Sequence, residues 1–253
     1  MVYRQIIGLC VCLMYLTLAS ADAGKDFLAA NAGKEGVVTT ASGLQYKVVR
    51  EGDGISPRAT DLVKVHYHGT LIDGSVFDSS VDRGTPSSFA LNQVIKGWTE
   101  GLQTMKQGGK TVFYIPSDIA YGDRSVGPIP ANSTLVFEVE LLQVFALNMP
   151  ASLAEVKAFN VTAMNCGNPP SLPRDKGQLA SIQASAESYT ACARDYYKLV
   201  SMQLEGLMKL IEGADVAMRD AVLDKLRDSK QAMAVQLDPA VAFVKDYEAL
   251  KAM

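Results

Sequence analysis

The chain has 253 residues, 48% of them hydrophobic and 20% charged, with a net charge of −3. That length holds one large domain or two small ones, and the composition is that of a soluble globular protein. With no basic tract to follow a phosphate backbone, nucleic acid is excluded as an expected partner.

The first segment differs from the rest. Arg4 precedes an almost unbroken apolar run from Ile6 to Leu18, and the small residues Ala19-Ser20-Ala21 follow it, ahead of Asp22. This pattern reads as a secretory signal peptide over residues 1–21, cleaved after Ala21, with retention as an anchor as the alternative. A run of that length is too short to cross ~30 Å of hydrocarbon as a helix, so no stable membrane span is expected after cleavage. Cys10 and Cys12 are not followed by a mature lipoprotein start. The protein is expected to be exported: periplasmic in a Gram-negative source, otherwise secreted or in the secretory pathway. Cleavage leaves Cys166 and Cys192, an even pair that an oxidising compartment would join in one disulfide. Two unpaired core thiols are the alternative.

Residues 22–38 read as a leader or linker, or as a loose first helix around Asp26–Ala32. Short β-like runs follow, separated by Gly, Asp and Pro. The first is Leu44–Val49. In Leu62–Leu71, Val63, Val65 and Tyr67 alternate with Lys64, His66 and His68, the mark of a half-buried strand. Lys110–Ile115 and Thr134–Phe145 repeat the pattern, with Leu135, Phe137 and Val139 on one face and Val136 and Glu138 on the other. Between them, Val94–Met105 sets Ile95, Trp98, Leu102 and Met105 at helical spacing, and Gly108-Gly109 stops it. Antiparallel strands with one short helix predict an α+β domain over 39–146, its sheet burying one face against that helix.

The composition shifts after Pro150. Residues 147–173, with Asn168-Pro169-Pro170 and Pro173, read as a stiff Pro-rich connector. Residues 174–253 read as an all-α hairpin. Leu179, Ile182, Ala186, Tyr189, Ala193, Tyr196, Val200, Leu204, Leu207 and Ile211 form an apolar stripe on its first helix. Gly213 permits a break. Leu223, Leu226, Met233, Leu237, Val241 and Val244 continue the stripe on a second helix, with Pro239 starting its last piece. A Cys166–Cys192 bridge would pin the connector to the long helix, closing a loop worth ~3 kcal/mol in chain entropy.

Five motifs carry a resemblance: Val65-His66-Tyr67-His68-Gly69, Val76-Phe77-Asp78-Ser79-Ser80, Gln93-Val94-Ile95-Lys96-Gly97-Trp98, Ala120-Tyr121-Gly122 and the run Asn132 to Leu142. In this order and near these spacings they resemble the FKBP-type peptidyl-prolyl cis-trans isomerase family. The lead-in Phe27-Leu28-Ala29 and Glu35 to Tyr46 resembles its bacterial macrophage-infectivity-potentiator-like branch. The resemblance covers a little under half the chain. It implies an antiparallel sheet of five or six strands wrapped around the short helix, with an apolar pocket between them. Carried over motif by motif, Tyr67, Phe77, Asp78, Tyr121 and Phe137 are the implied catalytic residues. Phe89, Val94, Ile95, Trp98 and Ile129 are the implied substrate-binding residues. The loop from Tyr121 to Ile129 is slightly shorter than in single-domain members, and Gln93 stands where many members have Glu.

The implied activity accelerates X–Pro isomerisation in exported polypeptides. Rotation about an X–Pro amide costs ~20 kcal/mol and breaks no bond, so no nucleophile, cofactor or metal is expected. A twisted amide carries less charge separation than a planar one, so an apolar, water-poor pocket favours it. The implied partners are proline-containing unfolded or partly folded polypeptides, with FK506-like macrolides as inhibitors. The helical tail is expected to be a dimerisation element, which would pair a second copy, or a docking or chaperone element. The rival function is a binding or chaperone protein with little or no turnover.

Plainer readings hold elsewhere. Phe113 and Phe145 read as core, and so do Tyr189, Tyr196 and Tyr197 in the tail. Glu138 and Glu140 read as a solvated strand face. His66 and His68 share a face but have no third ligand nearby in sequence.

Overall fold

The computed structural model describes residues 23–252. The expected signal peptide at 1–21 lies outside the described residues. The chain divides into two compact units, one ending at Ala146 and the other beginning at Leu147.

The first unit opens with helix α1 (residues 23–32). Seven strands follow: β1 (Val37–Thr39), β2 (Gln45–Arg50), β3 (Leu62–Leu71), β4 (Val76–Ser79), β5 (Ser87–Ala90), β6 (Lys110–Ile115) and β7 (Leu135–Phe145), with helix α2 (Lys96–Gln103) between β5 and β6. They form one antiparallel sheet in the order β1-β2-β6-β7-β3-β4, and β5 also pairs with β3. The short strands β1, β4 and β5 have no alternation long enough to identify them in the sequence.

Strand β3 organises the sheet. One edge pairs with β7 along its full length, from Leu62↔Phe145 to Leu71↔Leu135. The other edge is shared: β5 takes Leu62–Val65 and β4 takes His68–Thr70. Tyr67 falls in the gap between these two partners. Its backbone N–H donates to Ser80 Oγ at 2.8 Å, and its carbonyl accepts from Ser80 N–H at 3.0 Å. Ser80 thus replaces the missing ladder bonds, as a buried backbone requires.

The alternation of β3, β6 and β7 puts Val63, Val65, Phe113, Ile115, Leu135, Val139 and Leu141 in the core, each fully buried. Helix α2 covers this face with Trp98, Leu102 and, just past its end, Met105. It comes close because Gly97 and Gly101 face the sheet. A Cβ at Gly97 would lie 2.4 Å from Ile115 Cγ2, and one at Gly101 2.7 Å from the Phe113 ring. The helix is shorter than the Val94–Met105 pattern predicts. Ile95, with ψ 147°, is its N-cap, and Leu91–Gln93 is a separate 3-10 turn. On the other face, Phe27 of α1 packs against Tyr114 with ring centroids 5.9 Å apart. Asn31 donates to Gln45 Oε1, and Gln45 in turn donates to the Leu28 carbonyl, both at 2.9 Å.

The second unit contains α3 (Leu153–Ala158), α4 (Gln183–Lys209) and α5 (Val216–Ala252). The connector is therefore not all extended: α3 starts at Ser152, whose Oγ caps Glu155 N–H at 3.2 Å, an S-x-x-E signature readable in the sequence. Most of the expected α4 stripe is buried, including Ala186, Tyr189, Ala193, Tyr196, Val200, Leu204 and Leu207. Tyr197, expected in the core, is 53% exposed, because it directly follows Tyr196 and one helical step turns a side chain ~100° away. The expected α5 stripe holds at Leu226, which is buried, and at Met233, Leu237 and Val244, which pack partly buried against the apolar clusters, but it fails at two positions. Val222, Leu226, Ser229, Ala240 and Phe243 are buried, whereas Leu223 and Val241 are exposed. Two adjacent apolar pairs, Val222-Leu223 and Ala240-Val241, left the choice within each pair open. Pro239 starts no new helix: it lies inside α5, which runs through it. Cys166 and Cys192 are joined in a disulfide with Cα atoms 5.7 Å apart.

Candidate active site

Trp98 forms the floor of a pocket of about 890 Å³ in the first unit. Helix α2 places its ring inward, 5% exposed. Three aromatic rings meet it edge to face: Tyr67 from β3 at 5.3 Å, Phe89 from β5 at 5.3 Å and Phe137 from β7 at 5.1 Å. Phe77 of β4 extends the wall by meeting Phe137 at 5.3 Å. Such T-shaped contacts, each worth ~0.5–1.5 kcal/mol beyond burial, lock the rings to one another. Gly69 allows two of them to approach, since a Cβ there would come within 2.9 Å of both the Phe77 and Phe137 rings.

All ten residues that the sequence singles out for the site line this one pocket. Tyr67, Phe77, Asp78, Phe89 and Phe137 come from the sheet. Val94, Ile95 and Trp98 come from the start of α2. Tyr121 and Ile129 come from the loop between β6 and β7, where a Val126–Ile129 bridge closes a tight turn, with N···O distances of 2.9 and 3.0 Å. The same loop adds Asp118, Arg124 and Pro128 to the rim, and Gln93 and Lys96 stand at the helix entrance. Gln93 and Lys96 lie within a quoted motif but were not assigned to the site, and Asp118, Arg124 and Pro128 sit in a connection that carries no periodicity.

The polar edge of the pocket is a triad of side chains. The Tyr67 hydroxyl donates to Asp78 Oδ2. Arg83 pairs with Asp78 Oδ1, and its Nη2 donates to the Tyr67 oxygen at 2.9 Å. The Arg83 guanidinium also lies 5.7 Å from the Tyr67 ring centroid. Burial pushes the Tyr67 phenol up, and its bond to the Asp78 carboxylate adds to this. Burial also pushes Asp78 up, but the hydrogen bonds from Tyr67 and Arg83 outweigh it and hold the carboxyl below its ordinary value. Asp78 therefore stands as a carboxylate that orients the Tyr67 wall, not as a proton donor at neutral pH. Arg83 was missed in the sequence: it lies five residues beyond Asp78, past a turn, where spacing predicts no contact.

The two histidines are turned to hydroxyls. His66 Nδ1 lies 3.0 Å from Ser80 Oγ, and His68 Nδ1 lies 3.0 Å from Ser79 Oγ. Among the described residues, no group of three or more His, Cys, Asp or Glu side chains could hold a metal ion. On the solvated face of β7, Glu138 pairs with Lys110 and Glu140 with Arg50, each at 2.6 Å.

The chain is similar to known proteins over its first unit. A family model described as FKBP-type peptidyl-prolyl cis-trans isomerase matches residues 54–142. A second, described as the domain amino terminal to that isomerase, matches residues 16–48. Neither runs past residue 142. The chain is 57% identical over 145 residues to the FKBP-type isomerase FkpA of Aeromonas hydrophila, covering 54% of this chain and 53% of that protein. It is 51% identical over 122 residues to the outer membrane protein MIP of Legionella longbeachae, covering 48% of this chain and 52% of that one. Among solved structures it resembles that of FkpA from Escherichia coli, with a TM-score of 0.54 and 45% identity over 57% of this chain and 68% of the other. The chain spans about half the length of the curated relatives it matches.

Proposed function

We propose, from a chain that belongs to the FKBP-type peptidyl-prolyl cis-trans isomerase family, that this protein accelerates rotation about X–Pro bonds in polypeptides. The observation that carries this reading is the set of three rings locked edge to face on Trp98 in one apolar pocket. Rotation needs no covalent partner. It needs an environment that stabilises the twisted amide more than either planar form. Aromatic walls with little competing water do so, because the twisted amide is the less polar species.

In this reading Trp98, Phe89, Val94 and Ile129 grip the proline ring. Phe77 and Phe137 face the rotating carbonyl, and Tyr67 with Asp78 fixes the wall behind it. The Tyr121 hydroxyl and the Ile95 backbone N–H hold flanking substrate carbonyls. Residues 39–146 are the isomerase module. Substrates are proline-containing unfolded or partly folded chains, and FK506-like macrolides compete for the pocket. The protein acts outside the cytoplasm. This placement is supported by the charged-apolar-small pattern of residues 1–21, the Cys166–Cys192 disulfide and a relative named as an outer membrane protein. No helix among the described residues is long and apolar enough to cross a membrane. A second copy pairs through the helical unit.

A protease-coupled assay on an Xaa-Pro peptide tests the activity. Acceleration that an FK506-like macrolide abolishes, together with a change in the fluorescence of the single tryptophan, is the expected result. Client binding without acceleration would favour a chaperone that lacks turnover.

A further inference from the structure

The helical unit has a third layer besides its two long helices. Residues 159–173 contain no helix or strand, and none of them is fully buried. Even so, this strap runs along both helices. Phe159, Val161 and Met164 pack against the cluster around Tyr196, Val200 and Leu226. Met164, Cys166 and Leu172 pack against the cluster around Tyr189 and Phe243.

Its polar attachments have an unusual form. Gln203 of α4, 5% exposed, accepts from Thr162 N–H and donates to Thr162 Oγ1, both at 3.1 Å. Gln236 of α5 accepts from Met164 N–H. Two amides from opposite helices thus hold the backbone of residues two apart on an extended segment. Recognition through main-chain N–H groups does not depend on side-chain identity, and this is how grooves accept varied extended peptides. If the strap leaves, the buried Gln203 amide loses its partners, an expensive state unless another backbone replaces it. Tyr196 Oη, buried in the same cluster, has no partner among the described residues and offers a further donor.

From these contacts we infer that the α4/α5 groove is a binding site for extended apolar polypeptide segments, with residues 159–172 as its built-in occupant. The Cys166–Cys192 bridge joins positions 26 apart and keeps the strap at a high effective concentration, so that a segment in trans competes poorly. Both cysteines are only half-buried. A dithiol of the thioredoxin class can attack one sulfur to form a mixed disulfide, and its second thiol then resolves it. Cys166 and Cys192 leave as thiols, and the reductant leaves as its disulfide. The freed strap then exchanges with a client segment. The inference is independent of turnover at the aromatic pocket.

The test uses the full chain and a fluorescein-labelled peptide of residues 159–172 carrying Cys166→Ser. The Cys166→Ser/Cys192→Ser protein should keep its helical circular dichroism and bind the probe at least about tenfold more tightly than the oxidised protein. Reduced, carboxymethylated α-lactalbumin should compete. In the cysteine-free protein, Gln236→Leu, which removes one net hydrogen bond, should weaken binding about fivefold, and Gln203→Leu, which removes two, should weaken it more. Loss of helix in the cysteine-free protein would make the strap a structural layer only and overturn the inference. So would intact helices without probe binding, or probe binding that the unfolded protein cannot displace.

Discussion

The two units of this chain are held together by different means. The first is a sheet whose strands meet partners far away in sequence, with a core of large, fully buried side chains centred on Phe113, Ile115 and Leu135. The second is a helical hairpin with smaller apolar clusters, a half-buried strap and a disulfide. The sheet unit positions its pocket side chains by ring-to-ring contact, and a covalent link would add little to it. The hairpin unit leaves a low-order layer that needs a covalent tether. Rigidity built from packing suits a site whose task is to hold one shape. Tethered packing suits a surface that exchanges its cover.

Several experiments can break or sharpen this contrast. The largest effect belongs to Phe137→Ala, which removes a wall shared with Trp98, Phe77 and Tyr67. A cost of ~3–5 kcal/mol to the sheet unit is expected in denaturant titration. At least about a tenfold loss in kcat/KM, corrected for folded protein, should accompany it, equal to ~1.4 kcal/mol of transition-state stabilisation. Unchanged turnover would remove Phe137 from the site.

Reduction of Cys166–Cys192 comes next. It should lower the stability of the helical unit by ~3 kcal/mol while leaving its helices formed in the absence of denaturant. The transition followed by Trp98 fluorescence should stay in place, because the only tryptophan reports the sheet unit alone. If both transitions move together, the units are coupled and the contrast fails.

A smaller effect is expected at the pocket's polar edge. The folded-state pKa of Asp78 lies below its ordinary value. Its pairing therefore stabilises the fold above the unfolded value of ~3.9 and is lost as pH falls through the lower folded value. Arg83→Met should bring the folded value up toward the unfolded one, so that stability at neutral pH falls and less of it is lost on acidification. Both side chains are nearly half exposed, so solvent screening limits the effect to ~0.2–1 kcal/mol at neutral pH. An acid unfolding curve identical to that of the parent would show that Asp78 owes its ionisation to something else. The smallest effect concerns truncation after Ala146: peptide isomerisation should change by less than about twofold, well under the ~1.4 kcal/mol that a tenfold change represents. A large loss would place part of the active unit in the helices.

The two units also differ in how legible they were in the sequence. Strand β3 could be read to the residue because Val63, Val65 and Tyr67 alternate with polar neighbours over ten positions. The ten pocket residues were found because motifs fix their identity and order. The partners that act across turns were not found: Arg83 contacts Asp78 only after the chain reverses, and Gln93 and Lys96 reach the rim because α2 starts later than its pattern. In the hairpin, periodicity gave the helices and most of the α5 stripe, but not the choice within the adjacent apolar pairs Val222-Leu223 and Ala240-Val241. The bridge that pins the strap to α4 was expected from the cysteine pair, but the strap's packing along both helices was not. Its attachments, Gln203 and Gln236, are polar residues within amphipathic helices, where a glutamine ordinarily faces water.

The β3–β7 pairing has a consequence in time. Strand β7 is the last in the unit to be synthesised, yet it pairs with β3 along its whole length and supplies Phe137. Contacts this distant in sequence form slowly, because a long loop must close before they contribute. A ribosome or export channel that still holds residues 135–145 therefore holds a chain without a pocket. The pocket is completed only when β7 emerges, while the whole helical unit from Leu147 onward is still to follow.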